Sequence, residues 1–247
     1  MGSYQKVYLD VILVPCGLAL MFLYHFFLLY RIRKHPHTTV IGYENHNKRA
    51  WVERMMQVDP DMKYTGIALQ VMSSNIGAAT YLASLSIGLS SLIGAWVGSS
   101  SSNIFMSDLI YGDTSSSTIT IKYISLLTCF LLAFASFIQS TRYSVHANFL
   151  MSTPNTDIPV KYVQLAVIRG SNFWSLGLRA LYFATTLLLW IFGPIPMFAS
   201  SVIMVFLLHF LDTNSTPLHQ YQPPNKGTRK LANLLNGVPP NVDHQSA

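Results

Sequence analysis

Three observations predict an all-α fold, an integral membrane helical bundle with four spanning segments. Four stretches, at about residues 7–30, 67–97, 123–140 and 178–210, are apolar over the length, roughly 20 residues, that a helix needs to cross a bilayer. Hydrophobic residues make up 51% of the chain and charged residues only 11%, against about 25% in soluble domains, so a water-facing surface lacks material. Lysine and arginine crowd the connection between the first two stretches and are missing from residues 98–120.

The first stretch carries one charge, Asp10, and ends in Tyr30-Arg31-Ile32-Arg33-Lys34. It is longer than a signal-peptide core and lacks a small-residue cleavage site, which predicts a retained anchor. Myristoylation at Gly2 is rejected, because Lys6 stands where that motif wants Ser or Thr. Residues 44–57 predict a short amphipathic helix in the cytoplasmic headgroup layer, with Trp51, Val52, Met55 and Met56 on one side and Asn47, Lys48, Arg49, Glu53 and Arg54 on the other. Residues 162–177 predict a second such helix. The loop holding Ser99 to Ser102 and Ser115 to Ser117 reads as polar and flexible, and residues 213–247, with Pro223-Pro224 and Pro239-Pro240, as a disordered polar tail. Residues 1–212 then form the membrane domain.

The last stretch would run about 50 Å as one helix, against a hydrocarbon core of about 30 Å. Gly193-Pro194-Ile195-Pro196 interrupts it, and proline removes a backbone donor and clashes with the preceding turn. Two outcomes fit: one long kinked helix, or two half-length helices in a re-entrant hairpin that returns the tail. Basic residues favour the cytoplasmic side, which puts the first connection inside and the Ser-rich one outside. Four crossings would leave the C-terminal end outside, although Lys226, Arg229 and Lys230 pull the other way.

Within the spans, Gln70, Gly77, Ser84 and Ser91 recur every seventh residue, with Ser74 and Asn75 beside them. The third span adds Ser125, Thr128, Cys129, Ser136 and Gln139. Such residues usually let helices approach and hydrogen-bond; the functional alternative is a polar pathway lined by Gln70, Ser74, Asn75 and Gln139. His25 reads as an interhelical hydrogen-bonding residue. No Asp, Glu, Lys or Arg stands near the middle of a span, which disfavours a proton- or ion-coupled pump. Cys16 and Cys129 read as small hydrophobes. No His, Cys and acid set has metal-ligand spacing, so no metal and no cofactor is expected.

No nucleophile elbow, phosphate loop, dinucleotide fingerprint or HExxH motif is present, and no catalytic residue is expected. The polar residues predicted on the cytoplasmic face are Asn47, Arg49, Trp51, Arg54, Arg142, His146, Asn148, Arg169, Trp174 and Arg179. They are either positive-inside anchors with aromatic belt residues or a site for an anionic headgroup, which arginine recognises through its planar fork.

The strings Asn45-His46-Asn47-Lys48-Arg49-Ala50-Trp51-Val52, Ser73-Ser74-Asn75-Ile76, Tyr143-Ser144-Val145-His146-Ala147-Asn148-Phe149, Arg169-Gly170-Ser171, Phe173-Trp174-Ser175 and Leu189-Trp190-Ile191-Phe192-Gly193-Pro194 resemble the plant branch of a membrane-protein family known as domain of unknown function five-nine-nine. The resemblance extends to about Asp212 and implies a multi-pass protein without an activity to carry over. Three function classes stay open. The first is a non-enzymatic scaffold or regulator at the plasma membrane that binds anionic lipid or a protein partner. The second is an oligomeric channel or facilitator, since four helices of one chain enclose little volume. The third, an intramembrane lipid-modifying enzyme, lacks a nucleophile, base or metal set. The bilayer and a homo-oligomer are the expected partners, and nucleic acid is not.

Overall fold

The computed structural model describes residues 2–56, 63–98, 115–153 and 158–218. They form α1 (Gly2–Lys34), a 3-10 turn (Pro36–Thr38), α2 (Val40–Met55), α3 (Lys63–Gly98), α4 (Ser116–Ser152), α5 (Val160–Leu189) and α6 (Pro194–Asp212). The class is all-α, as the sequence predicts, and no strand occurs among the described residues. Four helices are long and apolar enough to cross a membrane: Tyr8–Lys34, Thr65–Ala95, Ser116–Ser152 and Pro194–Asp212. The chain is therefore a multi-pass integral membrane protein. Phe22, Leu23, Phe26 and Phe27 on α1, and Ile203, Phe206 and Phe210 on α6, are exposed, which suits a lipid solvent.

The last apolar stretch divides where the sequence places the break. Residues 190–193 turn, Gly193 adopts φ 145°, a region open to glycine alone at low cost, and Pro194 opens α6 at a position whose N–H has no helical partner. Of the two outcomes the chain takes the hairpin, but with long arms of 30 and 19 residues. Residues 162–177, expected as a separate interfacial helix, are instead the first half of α5. Val163, Ala166, Val167, Gly170 and Gly177 are buried there. An apolar stripe at helical spacing looks the same whether it faces headgroups or neighbouring helices.

The contacts fix the directions. Met197 shares a core cluster with Val14, a Cβ on Gly17 would sit 3.1 Å from the Ser201 Oγ, and Tyr24 bonds to Asp212, so α1 and α6 run parallel. Ser140 meets Gly170, Phe137 lies against Gly177 and Tyr123 clusters with Ala184 and Leu187, so α4 and α5 run antiparallel. Ala83 packs with Ala133 and Phe137, and Met72 with Ala147 and Met151, which makes α3 antiparallel to α4. The long helices thus stand in the order α3, α4, α5, α6, α1.

α5 is less apolar than the four others, yet between α4 and α6 it traverses the same thickness. That makes five passages, so the end of α6 returns to the side where α1 leaves. The Asn214 N–H donates to the Thr38 carbonyl at 3.0 Å, and Thr39 pairs with Thr213 in an isolated antiparallel bridge. The end of α6 thus lies beside the end of α1, as the hairpin alternative requires, and not opposite it, as four crossings would have it. The Ser99 to Ser102 loop, and the tail from residue 219 with Lys226, Arg229 and Lys230, lie outside the described residues.

Depth can be read along the helices. At the far end, the Trp190 indole N–H donates to Asp10 at 2.8 Å, and the Lys122 ammonium lies 5.5 Å from the Trp190 ring centroid. From that level, about 30 Å of hydrocarbon at about 1.5 Å per residue ends near Arg31 on α1, Arg142 on α4, Gly170 on α5 and Asp212 on α6. Beyond this basic boundary the ends of α3, α4 and α5 continue, and α2 packs on them through Val52. A Thr39 hydroxyl accepting from the Gly42 N–H at 3.2 Å caps α2.

Candidate lipid-headgroup site at the basic end

Arg142, His146 and Arg169 converge on one groove between α4 and α5. Its volume is about 970 Å³, and Tyr143, Val145, Phe149, Tyr162 and Leu165 supply much of its wall. The antiparallel pairing of α4 with α5 is what brings residues 142 and 169 together. Arg169 stands 5.9 Å over the Tyr143 ring, and Tyr143 is stacked on Phe173 at 5.7 Å, so a cation–π contact steadies one guanidinium at the rim. Arg142 and His146 are exposed and make no side-chain hydrogen bond or ion pair among the described residues. Val145, Phe149, Tyr162 and Leu165 are exposed apolar surface. Chemically, the groove offers unspent cationic donors above a wall suited to acyl chains, at the depth of the headgroups.

The other predicted polar residues scatter. Trp51 packs beside the core that holds Val52 and Met72, and Asn47 is half-buried on the same helix. Arg49 and Arg54 are exposed on α2, outside the groove. The Asn148 Oδ1 is buried without a hydrogen-bond partner among the described residues. Trp174 makes an edge contact with Phe137 at 5.5 Å and lines a second, polar crevice together with Glu44, Lys48, Asn75, Ser144 and Ser171. Arg179 is committed to the Asp212 carboxylate: one guanidinium nitrogen donates to Oδ2 at 2.8 Å and the other to Oδ1. Tyr24 adds a hydrogen bond to Oδ2 at 2.7 Å. This buried network ties α1, α5 and α6 and commits the Arg179 fork to a carboxylate of its own chain.

The intramembrane candidates also part company. His25 lies inside the hydrocarbon, its Nδ1 2.7 Å from the Met21 carbonyl and its ring 5.0 Å from Phe183, while Nε2 is buried without a partner. Gln70, Ser74, Ser84 and Ser91 point outward from α3 and are exposed. Within one chain they neither bridge helices nor line a lumen. Gln70 is about 35 Å along α3 from Ile93, which clusters with Tyr123 at the far end, so it falls past the basic boundary rather than in the middle of the membrane. Asn75 opens into the polar crevice. Gln139 is half-buried and lines neither cavity. Among the described residues, no three His, Cys, Asp or Glu side chains stand close enough to hold a metal ion.

A family model described as "Protein of unknown function, DUF599" matches residues 12–217. The chain belongs to this family. The match takes in α1 from residue 12, the groove, the crevice and the Asp212 network, so all these features lie within the family domain. No curated protein and no solved structure matches the chain.

Proposed function

We propose that the protein is a non-enzymatic membrane component, a scaffold or regulator, whose basic end is cytoplasmic and holds an anionic lipid headgroup in the α4–α5 groove. The observation that carries this reading is the convergence of Arg142, His146 and Arg169 on a groove with exposed aromatic and aliphatic walls at headgroup depth. Anchors that only obey the positive-inside rule need no shared concavity. The plasma membrane, with its anionic cytoplasmic leaflet, is the location this reading favours.

Arg142→Lys keeps the charge but loses the planar fork. Purified wild type and Arg142→Lys protein, each in lipid discs matched in total charge but differing in anionic headgroup, are compared across a salt series. Wild type should retain one headgroup preferentially at high salt, and the variant should lose that preference while inserting normally. Equal retention of all anionic lipids by both proteins, fading together as salt rises, would mean diffuse attraction only.

A second reading, a channel or facilitator assembled from several copies, is favoured by the exposed polar face of α3, which holds Gln70, Ser74, Ser84 and Ser91. Solute flux into liposomes that contain the purified protein tests it.

A further inference from the structure

Across α4 and α5 from the groove, α2, α3, α4 and α5 enclose a crevice of about 190 Å³, far more than a single water needs. Its lining is mixed: Met72, Ala78, Val167 and the Trp174 ring are apolar, and Glu44, Lys48, Asn75, Ser140, Ser144 and Ser171 are polar. The polar groups are only partly used. Lys48 Nζ donates to Glu44 Oε2 at 2.7 Å and to Ser171 Oγ at 2.5 Å, which leaves its third N–H, while Glu44 keeps Oε1. Ser140 is spent on the Gly170 carbonyl at 2.8 Å. Ser144 is 7% exposed and lines the crevice, yet among the described residues its hydroxyl has no hydrogen-bond partner. The Asn75 amide has none among them either.

We propose that this crevice binds a compact zwitterion, a primary ammonium and a phosphate or carboxylate a few bonds apart, as in a phosphoethanolamine group. The charge pattern selects both signs together. A bare anion meets the Glu44 carboxylate and a bare cation meets Lys48, so either alone is repelled by half of the pair. In the zwitterion, the ammonium takes Glu44 and the face of Trp174, a surface that attracts cations. The anionic oxygens take the free Lys48 N–H, the Ser144 hydroxyl and the Asn75 amide, charge-assisted bonds of the strong kind. A quaternary ammonium has no N–H to give Glu44, so the site distinguishes primary from methylated amines.

Ser140 and Gly170 lie at the basic boundary, so the group can arrive on a phospholipid or as a free solute. The experiment separates these sources. The full chain in phosphatidylcholine discs is titrated calorimetrically with phosphoethanolamine, phosphocholine, ethanolamine and inorganic phosphate, and again in discs containing phosphatidylethanolamine. Phosphoethanolamine should bind at least tenfold more tightly than the other three. Ser144→Val and Glu44→Gln should each weaken it at least tenfold at an unchanged unfolding midpoint. Asn75→Leu, at an exposed position, supplies the same readout should Ser144→Val fail to fold. Loss of phosphoethanolamine binding in phosphatidylethanolamine discs identifies the lipid as occupant; unchanged binding identifies a soluble zwitterion. No binding, equal binding of phosphocholine, or variants that bind like wild type would each overturn the proposal. Arg142→Lys leaves this binding unchanged, so the groove and the crevice fail or stand separately.

Discussion

Replacing Arg179 with methionine leaves the Asp212 carboxylate buried with Tyr24 as its single remaining side-chain partner among the described residues. The ion-pair side chains are only 13% and 9% exposed, and breaking a buried pair from one side costs about 3–5 kcal/mol because a charge is stranded. Removing both charges should cost far less. In Arg179→Met/Asp212→Leu no charge is stranded, and what is lost is chiefly the Tyr24 hydrogen bond, about 1 kcal/mol net, offset by better apolar packing. The double variant should therefore lie within about 2 kcal/mol of wild type, although the single Arg179→Met variant loses about 3–5 kcal/mol. Reversible unfolding in mixed micelles, followed by helical circular dichroism, reads both variants, and the double-mutant cycle gives the coupling. If Arg179→Met unfolds within 1 kcal/mol of wild type, or if the two single effects simply add, the network does not hold α1, α5 and α6 together.

The remaining expectations concern topology and packing. In a Cys16→Ser, Cys129→Ser background, Asn45→Cys and Ser215→Cys should both resist an impermeant thiol reagent on intact cells, whereas Ser116→Cys at the far end should react; labelling of Ser215→Cys alone would refute the five-passage path. A Cβ at Gly177 would lie 2.7 Å from the buried Phe137 ring, whereas one at Gly77 meets nothing within 4 Å. Gly177→Ala should thus lose about 1–3 kcal/mol in micelle unfolding, and Gly77→Ala should gain up to about 1 kcal/mol. Gln70→Leu should change monomer stability by less than about 0.5 kcal/mol; if it abolishes liposome flux at that stability, the multi-copy channel reading takes precedence.

The sequence made α1, α3 and α4 legible, because each has a long apolar run with basic or polar flanks. α5 was hidden for two reasons. Its second half fused with α6 into one apolar stretch, and its first half, with Arg169 and Asn172, looked like a helix lying on the membrane. The break itself was legible from Gly193-Pro194-Ile195-Pro196, since proline and a left-handed glycine leave the backbone few options. At the site, the basic residues near the span ends could be named, but not sorted. Arg142 and Arg169 meet because α4 and α5 pair antiparallel, and Arg179 meets Asp212 because the hairpin closes. Both facts are tertiary. Glu44, Lys48, Ser144 and Ser171 come from three helices, and no local pattern announces their meeting. Asp212 carried the one available signal: an acid ending an apolar helix needs a partner nearby.

The parallel contact of α1 with α6 joins the first and the last of the described helices. During synthesis α1 enters the bilayer with Asp10 and Tyr24 still lacking Trp190 and Asp212, and the partners arrive only when the α5–α6 hairpin inserts. Such a long-range closure is slow and comes late. A ribosome stalled before α6, or a chain cut short there, leaves a polar seam on α1 open to lipid and to quality-control factors. The nineteen-residue α6 thereby closes the seam that α1 leaves open.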